Sequence, residues 1–343
     1  MPQSAESHEL TIIAGVASSV ARHALTYGID INPICTALGI DPDVLQSLTG
    51  RVSLDRICRL LEACAVLSND EAFGLRCAGA YQPGASGPFG YGLIVAPDVR
   101  ALVTFLEDHV PNATASSYFT RETTEKGTTL RWTFSPLIVK RDQYVDMSLA
   151  MVMARLRDMI GPYTELIEIE LERSRPRNVP VFREYLSKQI AFASRINSIT
   201  FPAQIMDLAN PKGDARLFTL MDMQCRTLYP PQGSDGEEFA GEVRKYMRLR
   251  IAEPALSLTE IARHFHVSER TLQRRLAEYG TSLNDIRDEV RRELSLTLLR
   301  ESDLPIAEIC YRLGYSAPSA FSRSVSRWFG ASPRAVREKQ AEG

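Results

Sequence analysis

The sequence predicts two domains of different class: an α+β N-terminal domain, then an all-α C-terminal domain of two helix-turn-helix subdomains joined by a linker helix. Three observations lead there. Helix-like and strand-like periodicities interleave over residues 1–228, a turn-rich break (YPPQGSDGEE) fills residues 229–238, and residues 239–343 carry a helical pattern that recurs after 48 or 49 positions. With 343 residues, 44% of them apolar, the chain has material for a core in each part.

Taken in order, the first 80 residues read as helical. SLDRICRLLEACAVL sets Leu54, Ile57, Leu61 and Cys64 at helical spacing, with Ser53 as the cap. After GPFGYGLIVAP comes a helix over DVRALVTFLEDHV. Two strands, ASSYFTRET and TTLRWTF, then flank the turn EKG. A helix at 142–160, a strand in LIEIELE, a helix near 181–190 and a strand in SITF complete the domain, which reads as helices packed on a small sheet. Arg131 and Trp132 suit either a ligand pocket or a surface strand pair.

Charge is uneven. Residues 241–343 hold 18 Lys and Arg against 14 Asp and Glu, a balance of +4, and the remainder carries −6. That asymmetry permits nucleic-acid binding by the C-terminal part. No apolar run is long enough to span a membrane, and the N-terminus has no basic segment followed by an apolar one, so a cytoplasmic protein is expected. The six cysteines form no C-x-x-C pair and the five histidines do not cluster with them; His264 and His266 point to different faces of a helix. Reduced, buried thiols and no metal or other cofactor are therefore expected.

The C-terminal repeat bears most on function. With 100° per residue from Ser268, Leu272, Leu276 and Tyr279 share one arc, whereas Arg270, Gln273, Arg274 and Ala277 lie opposite. A shift of 49 puts Phe321, Val325 and Trp328 at the apolar positions and Ser319, Ser322, Arg323 and Ser326 at the outward ones. Upstream, Leu258, Ile261, Ala262 and Phe265 correspond at a shift of 48 to Ile306, Ile309, Cys310 and Leu313, so the second turn is one residue longer. It contains Gly314 where the first has His-Val. Each copy is thus helix, tight turn and two-faced helix, a helix-turn-helix whose second helix enters the DNA major groove. Arginine reads guanine O6 and N7 with two hydrogen bonds, and glutamine does the same at adenine. Leu283, Ile286, Val290, Leu294 and Leu298 form one stripe between the copies, a helix of about 18 residues and roughly 27 Å. Such a spacer suits two recognition helices about one DNA turn, 34 Å, apart.

RTLQRRLAEYG, IAEICYRLGYSAPSAFSRSVSRWFGASPRAVR and the helix between them resemble the DNA-binding domain of AraC/XylS-family transcription regulators, over about residues 238–338. The resemblance implies that Arg270, Gln273, Arg274, Ser319, Ser322 and Arg323 touch bases, and that Ser268, Ser316 and Arg327 meet phosphates. Val325 and Ser326 depart from the family, which often has phenylalanine and a basic residue there; the second copy is poorer in core volume and charge. RVSLDRICRLLEACAVLSNDEAFGLR, GPFGYGLIVAPDVRALVTFLEDHV and IAFASRINSITFPAQIMDL resemble the ornithine-utilisation-regulator subgroup with its arabinose-binding-type effector domain. The N-terminal resemblance implies a small-molecule effector and a homodimer, and the family as a whole implies double-stranded promoter DNA and RNA polymerase as partners and activation of transcription, with repression as the open alternative. Two alternatives stay open: a regulator without a ligand, controlled by protein partners, and a DNA-repair enzyme fused to the same domain. The latter needs a tight cysteine cluster, and the chain also lacks H-E-x-x-H, P-loop and G-x-S-x-G motifs, so no enzyme is expected.

Overall fold

A computed structural model describes residues 10–47, 50–114, 117–229, 239–252 and 256–338. It divides into two compact units, one of Met1–Thr133 with Lys140–Gln232 and the other of Phe134–Val139 with Gly233–Gly343. Of the turn-rich break, all but Tyr229 lies outside the described residues.

In the first unit, β1 (Thr11–Ile13) pairs antiparallel with β2 (Arg51–Ser53). Four helices accompany them: α1 (Ser18–Leu25), α2 (Asn32–Leu38), α3 (Leu54–Ser68) and α4 (Phe73–Ala80). The expectation of helix alone in this stretch therefore misses a two-stranded ribbon, whose three-residue strands are too short to show a period. Ser53 does precede α3, but its side chain makes no capping bond, because the residue ends β2. Next come α5 (Gly87–Val95) and α6 (Val99–Ala113), the latter capped by Asp98, which accepts from Ala101 N at 2.7 Å.

The sheet follows in the order β3-β4-β7-β5-β6, from β3 (Ser117–Thr124), β4 (Gly127–Phe134), β5 (Glu168–Glu170), β6 (Gln189–Ala191) and β7 (Asn197–Pro202). Ile199 of β7 lies opposite Leu130 on one side and Ile169 on the other, and all three are buried. The α7 helix (Asp142–Ile160) buries residues around most of its circumference. α4 crosses it so closely that a Cβ on Gly74 would lie 2.1 Å from the Gln143 carbonyl oxygen. The α8 helix (Val179–Tyr185) ends sooner than its sequence suggests; residues 189–191 leave it to pair in parallel with β5. The unit closes with α9 (Ala215–Leu228), capped by Asp214.

From residue 239 on, every described element of the second unit is helical: α10 (Phe239–Arg250), α11 (Leu258–His264), α12 (Glu269–Glu278), α13 (Leu283–Glu301), α14 (Ile306–Arg312), α15 (Pro318–Phe329) and α16 (Pro333–Glu338). The stripe Ile286, Val290, Leu294 and Leu298 of α13 is buried, and at 19 residues this helix runs about 28 Å. A capping box between Ser282 and Asp285 sets its start.

The internal repeat extends to the backbone. In the first turn, His266 N donates to Arg263 O (3.1 Å) and Val267 N to Ala262 O (3.0 Å). Forty-eight residues on, Gly314 N donates to Tyr311 O (3.0 Å) and Tyr315 N to Cys310 O (3.1 Å). Both turns need a left-handed residue, His266 at φ 53° and Gly314 at φ 70°. Histidine is accepted in the first copy; in the second, a Cβ at residue 314 would lie 2.2 Å from the Ile251 carbonyl oxygen. The copies share a tie as well: Arg287 donates to Leu256 O (2.7 Å) and Arg337 to Leu304 O (2.6 Å).

Candidate nucleic-acid interface

Each second helix buries one face and exposes the other. On α12, Leu272 and Leu276 are wholly buried, and Arg270, Gln273, Arg274 and Ala277 are exposed. Ser268 caps the helix, its Oγ accepting from Thr271 N at 3.1 Å, so its hydroxyl is engaged within the first turn. Tyr279, expected on the buried arc, is 45% exposed, because the helix ends at Glu278 and the chain turns away through Gly280. Arg275 leans over the Phe239 ring, 5.2 Å from its centre, covering the core of the unit with its stem.

On α15, Phe321 and Val325 are buried, Ser319, Arg323, Ser326 and Arg327 are exposed, and Ser322 is half-buried. The extra residue of the second turn is Ser316, exposed ahead of the N-cap, which is Ala317 followed by Pro318. The counterpart of the Ser268 cap is therefore an alanine with no capping side chain, and Pro318 presets the first helical residue instead. Trp328 is half-buried and its indole Nε1 donates to Asp288 Oδ2 at 2.8 Å; Arg327 reaches the other oxygen of the same carboxylate.

The two arginines placed alike by the repeat differ in setting. Arg274 Nη1 donates to Glu278 Oε1 at 2.7 Å, while Arg323 makes no hydrogen bond or ion pair among the described residues. Glu278 and Asp288 add two carboxylates that the outward cations do not announce in the sequence; Glu278 is legible there as the residue four beyond Arg274, and Asp288 lies some 40 positions from its partners. Gln273 and Ala277 also line a concavity of about 470 Å3 with Ser257, Thr281, Asn284 and Arg287. The outward faces thus offer guanidinium forks, an amide and small side chains, the groups that read base edges at close range.

In the first unit, Trp132 is buried and stacked on Phe119 at 5.7 Å, and Arg131 pairs at 2.5 Å with Glu122. The two residues belong to a strand's inner and outer faces. A separate concavity of about 400 Å3 is lined by Arg157, Thr164, Glu165 and Lys188 together with Pro162 and Leu186. Arg157 is spent there on the carbonyl oxygens of Glu184 (2.8 Å) and Leu186 (3.0 Å), and Lys188 on Glu165 at 2.6 Å. All six cysteines are buried; burial pushes the Cys64 thiol up to about 11, so thiolate is suppressed. No group of three or more His, Cys, Asp or Glu suited to a metal ion occurs among the described residues.

Two helix-turn-helix subdomains in one helical unit define a DNA-binding protein. Residues 261–339 match a helix-turn-helix domain family, and residues 28–210, more than half of the chain, match the arabinose-binding domain of AraC transcription regulators at its N-terminal position. The chain belongs to the AraC family of transcription regulators. It is 24% identical over 307 residues to an HTH-type transcriptional regulator of Mycobacterium tuberculosis, covering 85% of either chain. It is 23% identical over 316 residues to the ornithine utilization regulator of Pseudomonas aeruginosa, covering 91% of this chain and 92% of that one. Among solved structures, the transcriptional regulator CdpR of P. aeruginosa matches 93% of this chain and 98% of its own at 20% identity, with a TM-score of 0.38. No described helix is long and apolar enough to cross a membrane.

Proposed function

We propose that this regulator activates transcription in the cytoplasm as a homodimer, in response to a small-molecule effector. Residues 1–228 sense the effector and dimerise, residues 229–238 join the parts, and residues 239–343 bind double-stranded promoter DNA beside RNA polymerase. Arg270, Gln273 and Arg274 of α12 and Ser319, Ser322 and Arg323 of α15 face base edges; Ser268, Ser316 and Arg327 face phosphates. Neither unit carries out a reaction. The effector acts by binding one arrangement of the protein better than another, which is the only way a ligand shifts such an equilibrium.

One observation supports this reading above the rest: two helices related by the internal repeat each bury an apolar face and leave a polar one exposed. The test is a titration of the full-length protein onto duplexes selected from a randomised pool, repeated from about 50 to 200 mM salt. Affinity falls by orders of magnitude across that range as phosphate contacts release counterions. A flat series overturns the proposal.

A further inference from the structure

An anion stands on the proposed DNA-reading face of α12. Glu278 lies 40° around the helix from Arg274, one turn further on, and its side chain is 55% exposed. A carboxylate facing phosphates opposes binding. Helix stability does not account for it either. Exposed pairs of this kind contribute little. Arginine preceding glutamate is the poorer order for an i, i+4 pair, and the negative charge sits at the C-terminal end of the helix, where the dipole disfavours it.

What Glu278 does is fix one corner of a guanidinium. Arg274 Nη1 donates to Glu278 Oε1 at 2.7 Å, and the Nε–Nη2 edge has no partner among the described residues. That edge presents two parallel N–H groups, the fork that guanine O6 and N7 accept. The pair biases the long side chain toward a rotamer with its reading edge free, so less freedom is lost on binding. The repeat supplies a contrast. At a shift of 49, Arg274 becomes Arg323 and Glu278 becomes Arg327, a cation turned toward Asp288. Arg323 is left without an anchor.

We propose that Glu278 is a positioning residue for Arg274, making the first recognition helix the stringent reader and leaving the second permissive. The inference rests on the reading of Arg274 as a base contact, and its test separates the two. Full-length wild type, Arg274→Ala, Glu278→Ala and Glu278→Gln are each selected against a duplex pool randomised over the whole site, and base preference is scored position by position. Arg274→Ala flattens one position. Glu278→Ala lowers the preference at that same position about five-fold, part of the worth of one bidentate contact, while binding to random DNA tightens. Glu278→Gln, which keeps an acceptor, retains more of the preference than Glu278→Ala. If Arg274→Ala flattens one position and Glu278→Ala leaves it sharp, the positioning role is overturned. If Arg274→Ala flattens none, the base contact itself is wrong and Glu278 has nothing to position.

Discussion

Two turns that share a left-handed position but fill it with different residues allow a paired test of the repeat. His266 and Gly314 both hold left-handed backbone, at φ 53° and 70°. That conformation costs an L-residue about 1–2 kcal/mol, and glycine's extra chain entropy takes back about 0.5–1 kcal/mol. His266→Gly should therefore stabilise the C-terminal unit by about 0.5–1 kcal/mol. Gly314→Ala reverses that balance and also drives a Cβ to 2.2 Å from the Ile251 carbonyl oxygen. Relief requires backbone movement of the overpacking kind, about 1–3 kcal/mol, for a total loss of about 1.5–4 kcal/mol. The chain has two tryptophans, and in a Trp132→Phe background the fluorescence of Trp328 reports unfolding of this unit in urea. The midpoint should rise for His266→Gly and drop clearly for Gly314→Ala with the slope unchanged. A Gly314→Ala protein as stable as its parent would refute the close approach, and a destabilised His266→Gly protein would refute the shared turn geometry.

Further outcomes follow from the same contacts. Arg274→Ala should weaken binding to the selected duplex by about 1–3 kcal/mol and relax preference at one base pair, read by competition titration; equal loss on every sequence would reassign Arg274 to a phosphate. Leu276→Asp places a carboxylate at a fully buried position and should unfold the first helix-turn-helix, seen as lost helical signal in circular dichroism; an unchanged melt would contradict the packing. Ser268→Ala should cost about 1 kcal/mol of stability through the lost cap; no shift in the melt would mean that the Oγ bond to Thr271 N contributes nothing. Partial burial, with the Arg250 and His266 charges, lowers the His264 imidazole to about 4 from 6.5, where it stacks on Tyr246. The unfolded chain thus binds the extra proton first, so the C-terminal unit loses stability as pH falls from about 6.5 toward 4; removal of that acid sensitivity by His264→Phe is the check, and persistence of the same slope would assign it elsewhere.

Legibility from sequence followed the length and two-facedness of each element. The helices 54–68, 99–113 and 283–301 are plain because each carries a long apolar stripe, and 142–160 because it runs for 19 residues without Gly or Pro. The segment GPFGYGLIV gave no element, since it is apolar all round and its burial in α5 leaves no polar face to set a period. Gln189 and Ile190 read as the end of a helix for a different reason: the three residues of this strand hold no countable alternation, and only the neighbouring β5 makes them a strand. On the interface, burial of Leu272, Leu276, Phe321 and Val325 was readable from spacing. That His266 does the work of Gly314 was not, because the sequence gives no sign of a left-handed histidine. Nor was the tie of Arg327 and Trp328 to Asp288, which joins residues some 40 positions apart.

The central claim is that one chain presents two readers to successive major grooves, and contact interference on the selected duplex tests it most directly. Base pairs whose modification blocks wild type but not Arg274→Ala mark one reader, and those released by Arg323→Ala mark the other. Within each half of the site the two sets should lie about 10–10.5 base pairs apart. Release at the same base pair by both variants, or by neither, would contradict the account.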